Sequence, residues 1–119
     1  AQSLGVPRLP GVCTPSDTEA AVARGVSLVK FFPAEAIGGV RFLAALAGPY
    51  REVKFVPTGG IGPANLRGYL NHPSVVACGG SWMVKKDLIA SGSFDVIGRL
   101  AAEALDLASG VGAEGVSAG

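Results

Sequence analysis

Lys30 lies inside Leu28-Val29-Lys30-Phe31-Phe32-Pro33, a run apolar enough to be a covered strand of a parallel sheet. An unpaired ammonium is costly to bury, so a lysine held there tends to lose its proton instead. The neutral amine is then a nucleophile toward carbonyl carbon and forms a Schiff base with a keto substrate. The plainer alternative is a lysine at a strand end that snorkels to solvent, or one on the outer face. Two further features suit a substrate held beside that amine. Gly59-Gly60 and Gly79-Gly80 each follow an apolar run, the first preceded by Thr58 and the second followed by Ser81. Glycine lets backbone N–H groups approach an anion, and a helix N-terminus behind it adds partial positive charge. One such pair is more often a tight turn; two at consecutive strand ends, each with a hydroxyl, suit an anion. Neither has the dinucleotide or P-loop spacing, so a simple phosphorylated metabolite fits better than a nucleotide.

Other chemistry-bearing residues read more blandly. Glu35, just past Lys30, either pairs with a substrate or opens a helix, where acidic residues are favoured anyway. Lys54 stands near a strand start as a solvated rim charge, and Lys85 and Lys86 read as an exposed face. His72, within Asn71-His72-Pro73, reads as an exposed loop residue. Trp82 and Met83 read as core, with Trp82 alternatively on a pocket wall. The sequence holds no metal-ligand cluster. Cys13 and Cys78 lack metal-like spacing and read as small buried hydrophobes in a reducing, cytosolic compartment.

The elements that must position these groups follow from pattern. Strand-like runs at Arg8–Cys13, Ser27–Phe32, Val53–Pro57 and Val75–Cys78 each precede a turn. Thr14 as N-cap, Pro15 at the first helical position and Asp17 two further on predict a helix to about Arg24, stopped by Gly25. Helices are also predicted over 39–47, from Pro63 to about Leu70, and over 94–108. The last has Ser93 as N-cap and Phe94, Ile97, Leu100, Ala101, Ala104, Leu105 and Ala108 on one apolar face. Residues 110–119, rich in Gly, Ala and Ser, read as a flexible tail.

Strands alternating with helices at this spacing predict right-handed βαβ units and a parallel sheet. The sheet is either open and doubly wound or part of a (β/α)8 barrel, which needs roughly 200 residues or more. Four βα units are half of one. With 119 residues, 49% of them hydrophobic and 16% charged, the chain suits one well-buried domain or part of one. Ten basic and nine acidic residues give a formal charge of +1, which leaves no electrostatic footprint for nucleic acid and no polybasic membrane patch. No apolar run approaches the ~20 residues that span a bilayer. The first residues lack the basic-then-apolar order of a signal peptide.

Lys30-Phe31-Phe32-Pro33-Ala34-Glu35, Pro57-Thr58-Gly59-Gly60-Ile61 and Gly79-Gly80-Ser81-Trp82 occur together in this order. So arranged, with Leu9-Pro10-Gly11-Val12 and Thr14-Pro15 ahead of them, they resemble the 2-keto-3-deoxy-6-phosphogluconate (KDPG) and 4-hydroxy-2-oxoglutarate aldolase family. The resemblance covers about Gly5 to Ala108. It implies a (β/α)8 barrel, usually a homotrimer, working as a class I aldolase with neither metal nor cofactor. It also implies that Lys30 forms the Schiff base, that Thr58, Gly59, Gly60, Gly80 and Ser81 bind the substrate phosphate, and that Phe32 lines the pocket. The implied reaction splits the phosphorylated keto acid KDPG into pyruvate and glyceraldehyde 3-phosphate. 4-Hydroxy-2-oxoglutarate, which gives pyruvate and glyoxylate, is a second implied substrate.

The family's acid–base glutamate, and the arginine and threonine that hold the pyruvate carboxylate, have no counterpart here. Residues 1–109 are therefore expected to be the C-terminal half of the barrel, about strands 5–8 with their helices. The absent initiator Met and the half-barrel strand count carry the expectation of a longer polypeptide. Two other readings stay open: a different phosphate-binding barrel enzyme using Lys30 electrostatically, and a phosphate-binding fragment without turnover.

Overall fold

The structure, a computed structural model, describes residues 2–118, with side chains described for 3–110. Its elements are β1 (Gly11–Val12), α1 (Pro15–Ala23), β2 (Leu28–Phe31), α2 (Gly39–Ala47), β3 (Lys54–Pro57), α3 (Leu66–Leu70), α4 (Lys86–Ala90) and α5 (Phe94–Ala118), with short 3-10 turns at Gln2–Leu4 and Trp82–Val84. α1 starts where capping chemistry dictates. The Asp17 amide donates to Thr14 Oγ1 at 3.1 Å while Asp17 Oδ2 accepts from the Thr14 amide at 3.2 Å. This reciprocal box satisfies two of the amides that a helix start leaves without partners. Gly25, at φ +73°, ends the helix in a conformation that favours glycine.

β1, β2 and β3 form one parallel sheet in that order. Gly11 stands opposite Lys30 and Lys30 opposite Val56; Phe31 lies between Val12 and Pro57. Side chains alternate across the sheet. Val29, Phe31 and Phe55 are buried in the same core as Leu43 and Leu46 of α2. Phe31 stacks on Phe42 at 6.0 Å and meets Phe55 edge-on at 6.4 Å. The opposite face carries Leu28, Lys30 and Val56. It is open: Leu28 keeps 41% of its surface and Phe32, just past β2, keeps 50%. The apolar run around Lys30 is thus covered on one face, where a strand covered on both was expected.

The predicted fourth strand, Val75–Cys78, is reduced to a single parallel bridge between Phe55 and Val75. The segment still runs beside β3: the Phe55 amide donates to Ser74 O at 2.7 Å, the Val76 amide to Phe55 O at 3.2 Å, and the Gly79 amide to Pro57 O at 2.9 Å. A regular parallel ladder would next require an N–H from residue 57, and proline has none. The register slips by one residue, so Gly79 takes the bond that Cys78 would otherwise make.

The predicted apolar face of α5 is only partly used. Phe94 and Leu105 are 65% and 69% exposed, and the other named positions are half-buried. α5 packs on α3 and the Trp82 turn but leaves an apolar cleft of about 710 Å³ between Leu66, Leu70, Val76, Trp82 and Leu105. The helix also runs past the expected end at Ala108. From residue 111 on, the flexible tail expected over 110–119 falls outside the described side chains. Among the described residues no helix is long and apolar enough to cross a membrane.

Candidate active site

β2 delivers Lys30 to the carboxyl end of the sheet, where the side chain is half-buried on the open face. Its Nζ lies 4.8 Å from the centre of the Phe32 ring, in cation–π range. Beyond Pro33 the chain turns and lies along the loop that follows β3. The Ala34 amide donates to Thr58 O at 2.8 Å, the Glu35 amide to Gly59 O at 3.1 Å, and the Thr58 amide to Phe31 O at 2.9 Å. The segment after Lys30 and the first glycine turn are therefore one hydrogen-bonded unit.

Gly59 and Gly60 adopt φ +98° and +77°, which side chains rarely tolerate. Space forbids a side chain as well. A Cβ on Gly59 would stand 3.2 Å from the Phe32 ring, and one on Gly60 would stand 2.7 Å from Glu35 Cβ. The second turn lies across from the first. There Gly79 fits against the Thr58 methyl, and Gly80 lies against the Trp82 ring.

Between the two turns is a pocket of about 320 Å³ lined by Phe32, Thr58–Ile61 and Gly79–Ser81. Phe32, Thr58, Gly59, Gly60, Gly80 and Ser81, each named from the sequence, are thus brought to one place. Lys30 is not part of that lining. Phe32, which does line the pocket, has its ring close both to Gly59 and to the Lys30 amine. Thr58 Oγ1 is buried with no hydrogen-bond partner, alone in this among the described side chains. A buried orphan hydroxyl is costly, and a ligand in the pocket would supply its partner. The larger cleft under α5 shares Gly80 with this pocket but is otherwise lined by apolar side chains and Cys78, with no charged residue to receive a charged substrate.

Glu35 neither opens a helix nor lines the pocket. Its Oε1 accepts from Asn65 Nδ2 at 2.8 Å and from the Tyr69 hydroxyl at 2.9 Å. Burial, then the bond to Glu35, holds the Tyr69 phenol well above its usual range. Asn65 Nδ2 also donates to Gly60 O at 3.0 Å, and Asn65 Oδ1 accepts from the Gly62 amide at 2.8 Å. The sequence reading gave neither Asn65 nor Tyr69 a role at the site. Their spacing of four residues beside Pro63 was the available signal, since it puts them on one helical face.

Other expectations divide. Lys54 is exposed at the start of β3, its Nζ donating to Pro73 O at 3.3 Å. His72 is half-buried, not an exposed loop residue: its Nδ1 accepts the Ser74 amide at 3.1 Å. Burial, then the Lys54 charge, lowers its pKa. Both cysteines are free thiols. Burial pushes Cys78 up to about 11, which makes it a poor nucleophile near neutral pH. No group of three or more His, Cys, Asp or Glu able to hold a metal occurs among the described residues.

Residues 1–100 match the family described as KDPG and KHG aldolase. The chain is 54% identical to the 2-dehydro-3-deoxy-phosphogluconate aldolase of Haemophilus influenzae over 106 residues, 89% of this chain and 50% of that protein. It is 48% identical to the KHG/KDPG aldolase of Escherichia coli over 101 residues, 85% of this chain and 47% of that one. Among solved structures, the KDPG aldolase of Legionella pneumophila superposes with a TM-score of 0.77 at 40% identity, covering 80% of this chain and 46% of that one. That crystal holds pyruvate as a covalent carbinolamine intermediate. The chain spans about half the length of the curated relatives it matches. Motif, parallel α/β architecture and sequence identity agree over nearly all of this half, and the chain belongs to the KDPG and KHG aldolase family.

Proposed function

We propose that this chain supplies the Schiff-base lysine and the phosphate pocket of a class I aldolase that cleaves 2-keto-3-deoxy-6-phosphogluconate. The observation that carries the reading is Phe32, whose ring lies close to the Lys30 amine and also lines the glycine-rich pocket. A keto acid whose C2 reaches Lys30 over that ring can place its phosphate between the two turns. The covalent pyruvate adduct in the Legionella relative supports the same chemistry.

Lys30 attacks the C2 carbonyl, and loss of water leaves a protonated imine. The imine draws the electron pair of the breaking C3–C4 bond while the acid–base group of the barrel's other half takes the C4 hydroxyl proton, giving an enamine and releasing glyceraldehyde 3-phosphate. Protonation at C3 and hydrolysis then free pyruvate and return the amine. The amides of Gly59, Gly60, Gly80 and Ser81 and the Thr58 hydroxyl hold the phosphate. The Gly79 amide is already given to Pro57 O. Their contribution is to fix the distance and angle between amine and C2. 4-Hydroxy-2-oxoglutarate, lacking the phosphate, is a poorer substrate on this account.

Residues 1–109 form strands 5–8 of a (β/α)8 barrel on this reading, and their open face is its interior. The acid–base group comes from the barrel's other half, and the complete barrel is a cytoplasmic homotrimer needing no cofactor. Borohydride reduction with pyruvate should add one pyruvyl group to Lys30, located by peptide mass, and none to a Lys30→Ala variant. Absence of an adduct on the folded protein would sink the proposal. The half-exposed amine favours one second reading, in which Lys30 acts only as a charge beside the anion; phosphate binding without an adduct would select it.

A further inference from the structure

The loop Thr58–Gly62 has glycine at three of its five positions, two at positive φ, so its shape must be set from outside. Its outer grip is a single side-chain cluster. Asn65 binds both Gly60 O and the Gly62 amide, and Glu35 Oε1 orients Asn65 while also taking the Tyr69 hydroxyl. Glu35 belongs to the segment that leaves Lys30, whereas Asn65 and Tyr69 flank and form α3. The cluster therefore ties the amine's strand to the anion loop through side chains, beside the backbone bonds at Ala34 and Glu35. A carboxylate next to an anion pocket repels the anion, so electrostatics alone would disfavour Glu35 there.

We propose that Glu35 is a positioning residue that, through Asn65 and Tyr69, holds the Gly59–Gly62 amides in the geometry that receives the substrate phosphate. This rests on the phosphate-pocket reading above. Positioning and charge make opposite demands at this residue. Glutamine keeps the accepting oxygen and removes the charge; alanine removes both.

The test titrates inorganic phosphate into the full chain while following the backbone amide resonances of Gly59, Gly60, Gly80 and Ser81. Glu35→Ala and Asn65→Ala should each weaken phosphate by about tenfold, and the double variant by little more, because both cut one network. Glu35→Gln should bind at least as well as the parent, and Lys30 should trap pyruvate at the parent rate in every variant. Equal affinity in Glu35→Ala and the parent, or equal losses in Glu35→Ala and Glu35→Gln, would overturn the proposal. If Glu35→Ala fails to fold, Tyr69→Phe, which removes one donor, should show a smaller loss with the same retention of trapping; no loss there would overturn it. Amide exchange separates this failure from that of the underlying reading. If the parent binds no phosphate, the pocket reading falls. Faster exchange at Gly60 and Gly62 in Glu35→Ala than in Glu35→Gln then still upholds the positioning role, and equal exchange removes it.

Discussion

Gly59 and Gly60 sit at φ +98° and +77°, whereas Gly79 and Gly80, across the same pocket, lie outside the positive-φ region and are crowded by the Thr58 methyl and the Trp82 ring. The first turn needs glycine for its backbone. The second needs it for the space its neighbours take up. The surroundings differ in the same sense. Ala34, Glu35 and Asn65 bind the first turn through polar contacts, while the second hangs from one bond to Pro57 O and lies beside the apolar cleft under α5. Two identical dipeptides, one after β3 and one after the segment bridged to it, thus form one wall fixed by its backbone and one that depends on side-chain packing.

Substitution at the backbone-fixed wall should cost most. Gly60→Ala combines backbone strain with a collision against Glu35 and should destabilise by about 3 kcal/mol in denaturant unfolding. Trimming Glu35 to alanine should not restore it, because the strained φ remains; full recovery would refute the backbone explanation. Gly80→Ala should cost less, about 1–2 kcal/mol. Adding Trp82→Leu should relieve most of that loss, since only a side chain is in the way. A Gly80→Ala protein that stays destabilised beside Trp82→Leu would mean the second turn is also fixed by its backbone.

Thr58 joins the two walls, and its hydroxyl is the buried group without a partner among the described side chains. Thr58→Val should leave stability unchanged or raise it by about 1 kcal/mol, while phosphate affinity falls several-fold. A clear stability loss would show that the hydroxyl serves the fold and not a ligand. The smallest effect concerns pH. His72 has a folded pKa below its unfolded value, so its contribution is complete above about 6.5 and is lost as pH falls through the folded value. Because His72 Nδ1 accepts the Ser74 amide, mild acid should lower the protection of the Ser74 and Val76 amides, measured against their intrinsic exchange rates at each pH, before that of Gly59–Gly62. His72→Asn, which keeps an acceptor without titrating, should flatten that dependence; an unchanged acid response would place its origin elsewhere.

How far the sequence could be read depended on how far apart the deciding residues lie. Thr14 to Asp17 specified the start of α1 because capping involves neighbours alone, and Gly39 and Ala47 bounded α2 as expected. Val75–Cys78 read as a strand from composition. The missing N–H that shifted its register belongs to Pro57, about twenty residues earlier. The apolar face of α5 was visible in its period, but periodicity states which residues would like to be buried, not whether anything arrives to bury them. His72 looked like a loop residue and is one. Its burial and its bond to Ser74 came from the fold around it.

Taken alone, the sequence determined where strands end and what stands there: a lysine within an apolar run, two glycine turns, a threonine and a serine. Those features follow from local propensity, and their order fixes the family. The tertiary structure decided that the sheet has one open face, that Lys30 is half-exposed beside Phe32, and that Glu35 turns away from the pocket to orient Asn65. These outcomes rest on contacts between groups some thirty residues apart, and only a folded chain brings them within hydrogen-bonding distance.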